Sequence, residues 1–358
     1  MKTKLIYVLT CAPEGDFIEQ ALLAIWSARY HNPSAQIILF VDDVTDKVMS
    51  EGRDEILKYV SEKVIIPFNT DKTMLYRSRW IKTSVRRLVD GDFLFVDCDT
   101  ITTRSLDEID SLGCMIGAVP DSHLSVHEFG KALMKSSKVK VAPVGIDLDA
   151  EEYYFSSGVL YVKDTPETHA MYERWHSIWK EGVKKGVNID QPSLAKANIE
   201  AGHLIERIDD RFNCVMYTQP DFAKDAFILH FTAFRNPSWL FSTRVLDIIR
   251  DEGIKDWMVP FILDPVFTYI PFRYSISRMS CKELIRSIQV MSVSAKEYCL
   301  HIDDSFTDMN PSARWHKKAK ALFKKKQFTL GSIACLLPTW INLKLKHTDS
   351  PVPNICSK

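Results

Sequence analysis

Over the first hundred residues, short apolar runs alternate with stretches whose hydrophobic positions recur every three or four residues. Residues 5–9 form a strand-like run. Residues 17–30 place Phe17, Ala21, Ala24, Ile25 and Ala28 at helical spacing, and residues 36–41 are apolar again, ending at Asp42 and Asp43. The same reading predicts a helix over 48–60, a strand over 63–67, a helix over 74–88 and a strand over 93–96 that runs into Asp97. Strands alternating with helices predict an α/β fold, a mixed but mostly parallel sheet flanked by helices. Ligands of such sheets sit beyond the carboxyl ends of the strands, where Thr10, Asp42 and Asp97 all fall.

Further along, residues 158–162 form another apolar stretch, 168–180 a Trp-rich helix, and Asp190-Gln191 opens a helix through Asn198. Residues 227–231 are the last strand-like run. From about residue 271 the pattern becomes helical and then basic. The chain is therefore expected to divide into an α/β domain, 1–265, and a helical C-terminal extension, 266–358.

Composition narrows the picture. Of 358 residues, 46% are hydrophobic and 26% charged, enough apolar side chain for a full core, so disordered and collagen-like readings fall away. The 46 Lys and Arg balance 46 Asp and Glu, and no nucleic-acid partner is expected. The balance conceals an asymmetry, because from Pro311 onward ten Lys and Arg face one acid, Asp349. The eight cysteines are scattered without a Cys-x-x-Cys pair, which points to a reducing compartment. The apolar run at 5–9 is too short for a secretory leader and reads as a buried first strand.

The thirteen glycines assemble neither a dinucleotide fingerprint nor a P-loop. A divalent cation held by carboxylates is the natural substitute for neutralising phosphates. Asp-x-Asp occurs at Asp90/Asp92, Asp97/Asp99 and Asp147/Asp149, but only the second directly follows an uninterrupted apolar run, Phe93 to Val96. Residues two apart in an extended chain point to the same side, so both carboxylates are expected to project from one strand end; a strand-terminating acidic turn is the plain alternative. Arg79, Lys82 and Arg86 recur on one face of the preceding helix, either a solvated basic face or a phosphate contact. Ser156, Ser157 and Gly158 place small residues just ahead of a buried strand. Asp190 sits where either helix capping or a cleft would use it, and His230 stands at the end of an apolar run.

The ordered combination resembles a family. An N-terminal strand, helix and strand, a basic helix, an apolar run with Asp97-Cys98-Asp99, the Ser156-Ser157-Gly158-Val159 strand, the Asp190-Gln191 helix start, Arg211-Phe212-Asn213, then His230-Phe231 and a Pro/Trp element together resemble the GT-A glycosyltransferases of family 8. This group includes bacterial lipopolysaccharide galactosyl- and glucosyltransferases and glycogenin, and the resemblance covers roughly residues 4–240. It implies a GT-A type fold for the 1–265 domain and transfer of a hexose from a nucleotide-diphosphate sugar, typically UDP-hexose, to a saccharide or lipid-linked glycan. Transfer would proceed with retention and with Mn2+ or Mg2+ as cofactor. Carried over, Asp97, Asp99 and His230 would hold the metal, with Asp97 also near the ribose. Thr10 and Asp42 would lie by the uridine, Arg79, Lys82 and Ser157 by donor sugar or diphosphate, and Asp190 and Gln191 between donor and acceptor sugars. There are departures: Ala233 replaces a glycine, Asn236 a lysine, Ser238 separates Pro237 from Trp239, and Ser156 stands where Asn or Asp is usual. Arg235 is the residue expected to take over the phosphate contact.

In the basic segment, Trp315, Ala319, Leu322 and Phe323 recur at helical spacing among lysines, the pattern of a helix on an anionic membrane surface; an ordinary packed C-terminal helix is the alternative. The chain is accordingly expected in the cytoplasm, peripheral on the inner face of the membrane. Two other functions compete: a haloacid-dehalogenase-like phosphatase using Asp97 as nucleophile, with Ile101 at the last motif position, and a non-catalytic nucleotide-sugar or glycan-binding module.

Overall fold

The structure, a computed structural model, describes residues 1–68, 72–216, 225–231, 239–241 and 243–263. The 266–358 extension, its basic segment, the boundary near 265, and residues 233 and 235–238 lie outside these.

The chain runs β1 (Lys4–Leu9), α1 (Phe17–His31), β2 (Ile37–Asp42), α2 (Asp43–Ser50), β3 (Glu62–Ile66), α3 (Met74–Ser84), β4 (Phe93–Val96) and β5 (Thr100–Thr102). It continues through β6 (Ile116–Pro120), α4 (Lys131–Val141), β7 (Phe155–Val162), α5 (Pro166–Lys184), α6 (Gln191–Glu200), β8 (Ile205–Arg207), β9 (Cys214–Val215), β10 (Ile228–His230), α7 (Thr243–Glu252) and α8 (Val259–Leu263). Seven strands form one sheet in the order β3-β2-β1-β4-β7-β6-β8. The β1 strand pairs parallel with both β2 and β4, so the chain reverses its direction of travel across the sheet there. Such a switch point opens a crevice beyond the strand ends, here between Leu9 and Val96. The β7 strand runs antiparallel to β4 and β6, which makes the sheet mixed, as expected.

Alternation along the central strands explains the layers. Leu5, Tyr7, Leu39, Val41, Leu94 and Val96 pack toward α1, α7 and α8, whereas Ile6, Val8, Ile38, Phe40, Phe93 and Phe95 pack toward α3 and α5. The predicted helix over 48–60 is a correction. Asp42 starts α2 earlier by capping it, accepting from Thr45 N at 2.6 Å, and Gly52, at φ +101, ends it, leaving only a short 3-10 turn at Glu55–Lys58. Among the described residues, no helix is long and apolar enough to cross a membrane.

His176 on α5 is buried between Trp80 and Trp179, its Nδ1 2.8 Å from Thr83 Oγ1. Burial, aided by Arg87 and Lys180, pushes its pKa down to about 4. An unfolded histidine binds its proton near pH 6.5, so stability is lost as pH falls from about 6.5 toward 4. Between pH 7 and 5, His176→Phe should flatten the profile by about 2 kcal/mol. Thermal midpoints between pH 7 and 5 check this, and an identical slope in both proteins would contradict it.

Candidate active site

A second, three-stranded sheet, β5-β10-β9, stands beyond the carboxyl end of β4 and builds the site. The chain leaves the large sheet at Val96 and enters the small one at Thr100. Asp97 N still donates to Gly158 O of β7 at 2.8 Å, and Asp99 O already accepts from Phe231 N at 2.9 Å. The two carboxylates therefore converge because the backbone bends between two sheets, not because one strand carries both. His230 lies opposite Thr100 in the antiparallel β5-β10 pair, which brings its imidazole to the same bend.

Ligand atoms of Asp97, Asp99 and His230 all lie within 4.8 Å of one another. Atoms on opposite sides of a magnesium-sized ion are about 4.2 Å apart, so a small contraction closes the set around a cation. The donor chemistry, two carboxylates and one imidazole, suits a hard to borderline dication. Gly158 leaves room, because a Cβ there would come within 2.4 Å of His230 Cε1 and 3.0 Å of Asp97 Oδ2.

Basic groups complete the cluster. Lys82, whose side chain is only 2% exposed, reaches Asp97 Oδ1 at 3.1 Å and Asp190 Oδ2 at 3.2 Å. It also approaches Ser157 Oγ at 3.4 Å and lies 4.7 Å from the centre of the Phe95 ring. Arg79 Nε meets Asp190 Oδ1 at 2.8 Å. Burial would raise the Asp190 pKa, but Lys82, Arg79 and the Ser157 hydroxyl outweigh it and hold the value at about 2. For Asp97 burial wins over Lys82, with Asp99 adding to it, and its carboxyl lies above the usual range. Burial opposes charge on His230 as well, but Asp99 and then Asp97 overcome it and raise its pKa.

Asp190 occupies the cap position of α6 yet makes no capping hydrogen bond, its carboxylate being given to the basic pair. Gln191 turns the other way, donating to Phe155 O at 2.9 Å and Asp121 Oδ2 at 3.3 Å. Thr10 donates to Met74 O at 3.3 Å, tying the end of β1 to α3. Asp42 is fully buried and engaged by Arg77 and Thr45, so it forms part of the wall. Arg86, expected on the same basic face as Arg79 and Lys82, is instead buried near the opposite strand ends, donating to Gly91 O at 2.9 Å and stacked over Phe93. Arg235 lies outside the described residues.

Sequence reasoning missed Arg77, Asp121 and the contribution of Asn213. Asp121 had a signal, since it follows the buried β6 as Asp97 follows β4.

No family model matches the chain. A curated relative, glycosyltransferase GlyA of Streptococcus pneumoniae serotype 4, is 25% identical over 107 residues, 28% of this chain, and the match spans 15% of that relative's length. Among solved structures, the galactosyltransferase LgtC, in complex with donor and acceptor sugar analogues, is 13% identical over 72% of this chain and 99% of its own, with a TM-score of 0.45. The glycosyltransferase GlyE of S. pneumoniae TIGR4 is 17% identical over 77% of this chain and 66% of its own, TM-score 0.45. Mouse xyloside xylosyltransferase 1 in its apo form is 12% identical over 66% and 99%, TM-score 0.41. The overall likeness is too loose to bear on function, and the site geometry carries that.

Proposed function

We propose that the chain is a GT-A glycosyltransferase of the family 8 type, which moves a hexose from a nucleotide-diphosphate sugar, UDP-hexose, to a saccharide or glycolipid acceptor with retention. The observation that carries this reading is the meeting of Asp97, Asp99 and His230 beside a buried Lys82-Asp190-Arg79 cluster. Asp97, Asp99 and His230 would hold Mn2+ or Mg2+, which supplies Lewis-acid stabilisation of a leaving diphosphate.

The protein's own residues do the rest. Among the described residues, Asp97, Asp99 and Asp190 converge with the permanently charged Lys82 and Arg79, and a bound dication would tip that balance toward an anion. Lys82 and Arg79 are held in place by Asp190 and so are preorganised toward charge that develops on departure of the nucleotide. Asp190, with its pKa near 2, offers fixed negative charge and no proton, which suits a developing positive charge at the anomeric carbon. The Gln191 amide, close to Asp121, borders donor and acceptor sugars. Thr10 faces the nucleotide from the end of β1, and Asp42 contributes through the wall it builds with Arg77. Arg235 remains the proposed diphosphate contact, and the basic segment after residue 310 the proposed membrane contact.

A panel of UDP-hexoses with Mn2+ tests the assignment. Slow release of UDP from at least one donor, lost with chelator, is expected. Magnesium-dependent hydrolysis of a generic aryl phosphate with no UDP release would favour the phosphatase, and UDP binding without turnover the binding module.

A further inference from the structure

An imidazole can ligate a cation only through an unprotonated nitrogen, and the hydrogen bond made by its other nitrogen decides which one that is. His230 Nδ1 lies 2.9 Å from Asn213 Oδ1. Asn213 is completely buried and ends the 3-10 turn Asp210–Asn213 just before β9, which pairs parallel with β10. Its Nδ2 donates to Ser156 Oγ at 3.1 Å, and that oxygen also accepts from Gly158 N at 3.3 Å. With Nδ2 occupied by Ser156, the amide oxygen faces the imidazole and accepts from Nδ1–H. Nε2 is thereby directed at Asp99 Oδ1, 3.2 Å away, toward the meeting point of the carboxylates.

We infer that Ser156 and Asn213 form a relay that fixes His230 as its Nδ1–H tautomer, with Nε2 turned toward the cation, so that Asn213 is a positioning residue for cation binding. This rests on the cation reading proposed above. Ser156 acts through Asn213, since its hydroxyl holds the amide that orients the ligand histidine. The relay spans both sheets, with Ser156 on β7 and His230 on β10, so it locks the small sheet in register with the large one at the site itself.

The test uses the full chain and Mn2+ alone, with free Mn2+ counted by electron paramagnetic resonance. Asn213→Leu keeps the branched shape and removes the acceptor, and Mn2+ affinity should fall roughly tenfold to a hundredfold. Asn213→Asp keeps an acceptor and should bind within about threefold of wild type, since a carboxylate serves the same partner nitrogen in many metal sites. Nitrogen-15 spectra of the Mg2+-loaded wild type should show His230 protonated at Nδ1. A purely structural Asn213 would lower the thermal midpoint of Asn213→Leu and leave its Mn2+ affinity unmoved; that result, or protonation at Nε2, overturns the relay. Absence of Mn2+ binding by the wild type would overturn the cation reading and the relay with it.

Discussion

Asp99→Asn should lower Mn2+-dependent turnover by roughly a hundredfold to a thousandfold, the scale on which removing one preorganised electrostatic contributor acts. The side chain keeps its shape, so the bend between β4 and β5 and the backbone bond from Phe231 N to Asp99 O persist. What disappears is one of three converging donors, the carboxylate oxygen 3.2 Å from His230 Nε2. The thermal midpoint should move by only a few degrees. Full turnover in this variant, or loss of the folded state, would mean that the carboxylate serves the fold and not a cation.

Asp190→Ala should be the most destabilising single change at the site. Lys82 is buried, and Asp190 is one of its two carboxylate partners and the ion-pair partner of Arg79. Removing one partner of a buried ion pair leaves an uncompensated charge and costs about 3 kcal/mol or more. For a chain of 358 residues that corresponds to a fall in Tm of roughly 4 °C. The double variant Asp190→Ala/Lys82→Met should recover part of the loss, because it removes the stranded cation too. Wild-type stability for Asp190→Ala would show that the pairing contributes nothing, and additive losses in the double variant would locate the damage in packing.

The Asp97-Cys98-Asp99 element was legible because β4 is buried on both faces and reads as an unbroken apolar run stopping at an acid. The β1, β2 and β4 strands were legible for the same reason. The basic helix was only half legible. Its spacing placed Arg79, Lys82 and Arg86 on one face, but spacing does not say what packs over that face. Lys82 goes to the carboxylates, while Arg86, a turn further along, is enclosed near Asp164. Asp42 ends a buried strand just as a ligand residue would, yet a helix begins at the next residue and takes its carboxylate as a cap. Asn213 and Ser156 are 57 positions apart, and Asn213 is 17 from His230. No local pattern joins them, since only the pairing of β9 with β10 and the approach of β7 bring them together.

Crystals grown with UDP and Mn2+ and measured for anomalous scattering would decide the central question. The proposed function predicts a single strong manganese peak within bonding distance of Asp97, Asp99 and His230, with the UDP beside it. A peak elsewhere in the molecule, with those three side chains left unligated, would contradict it.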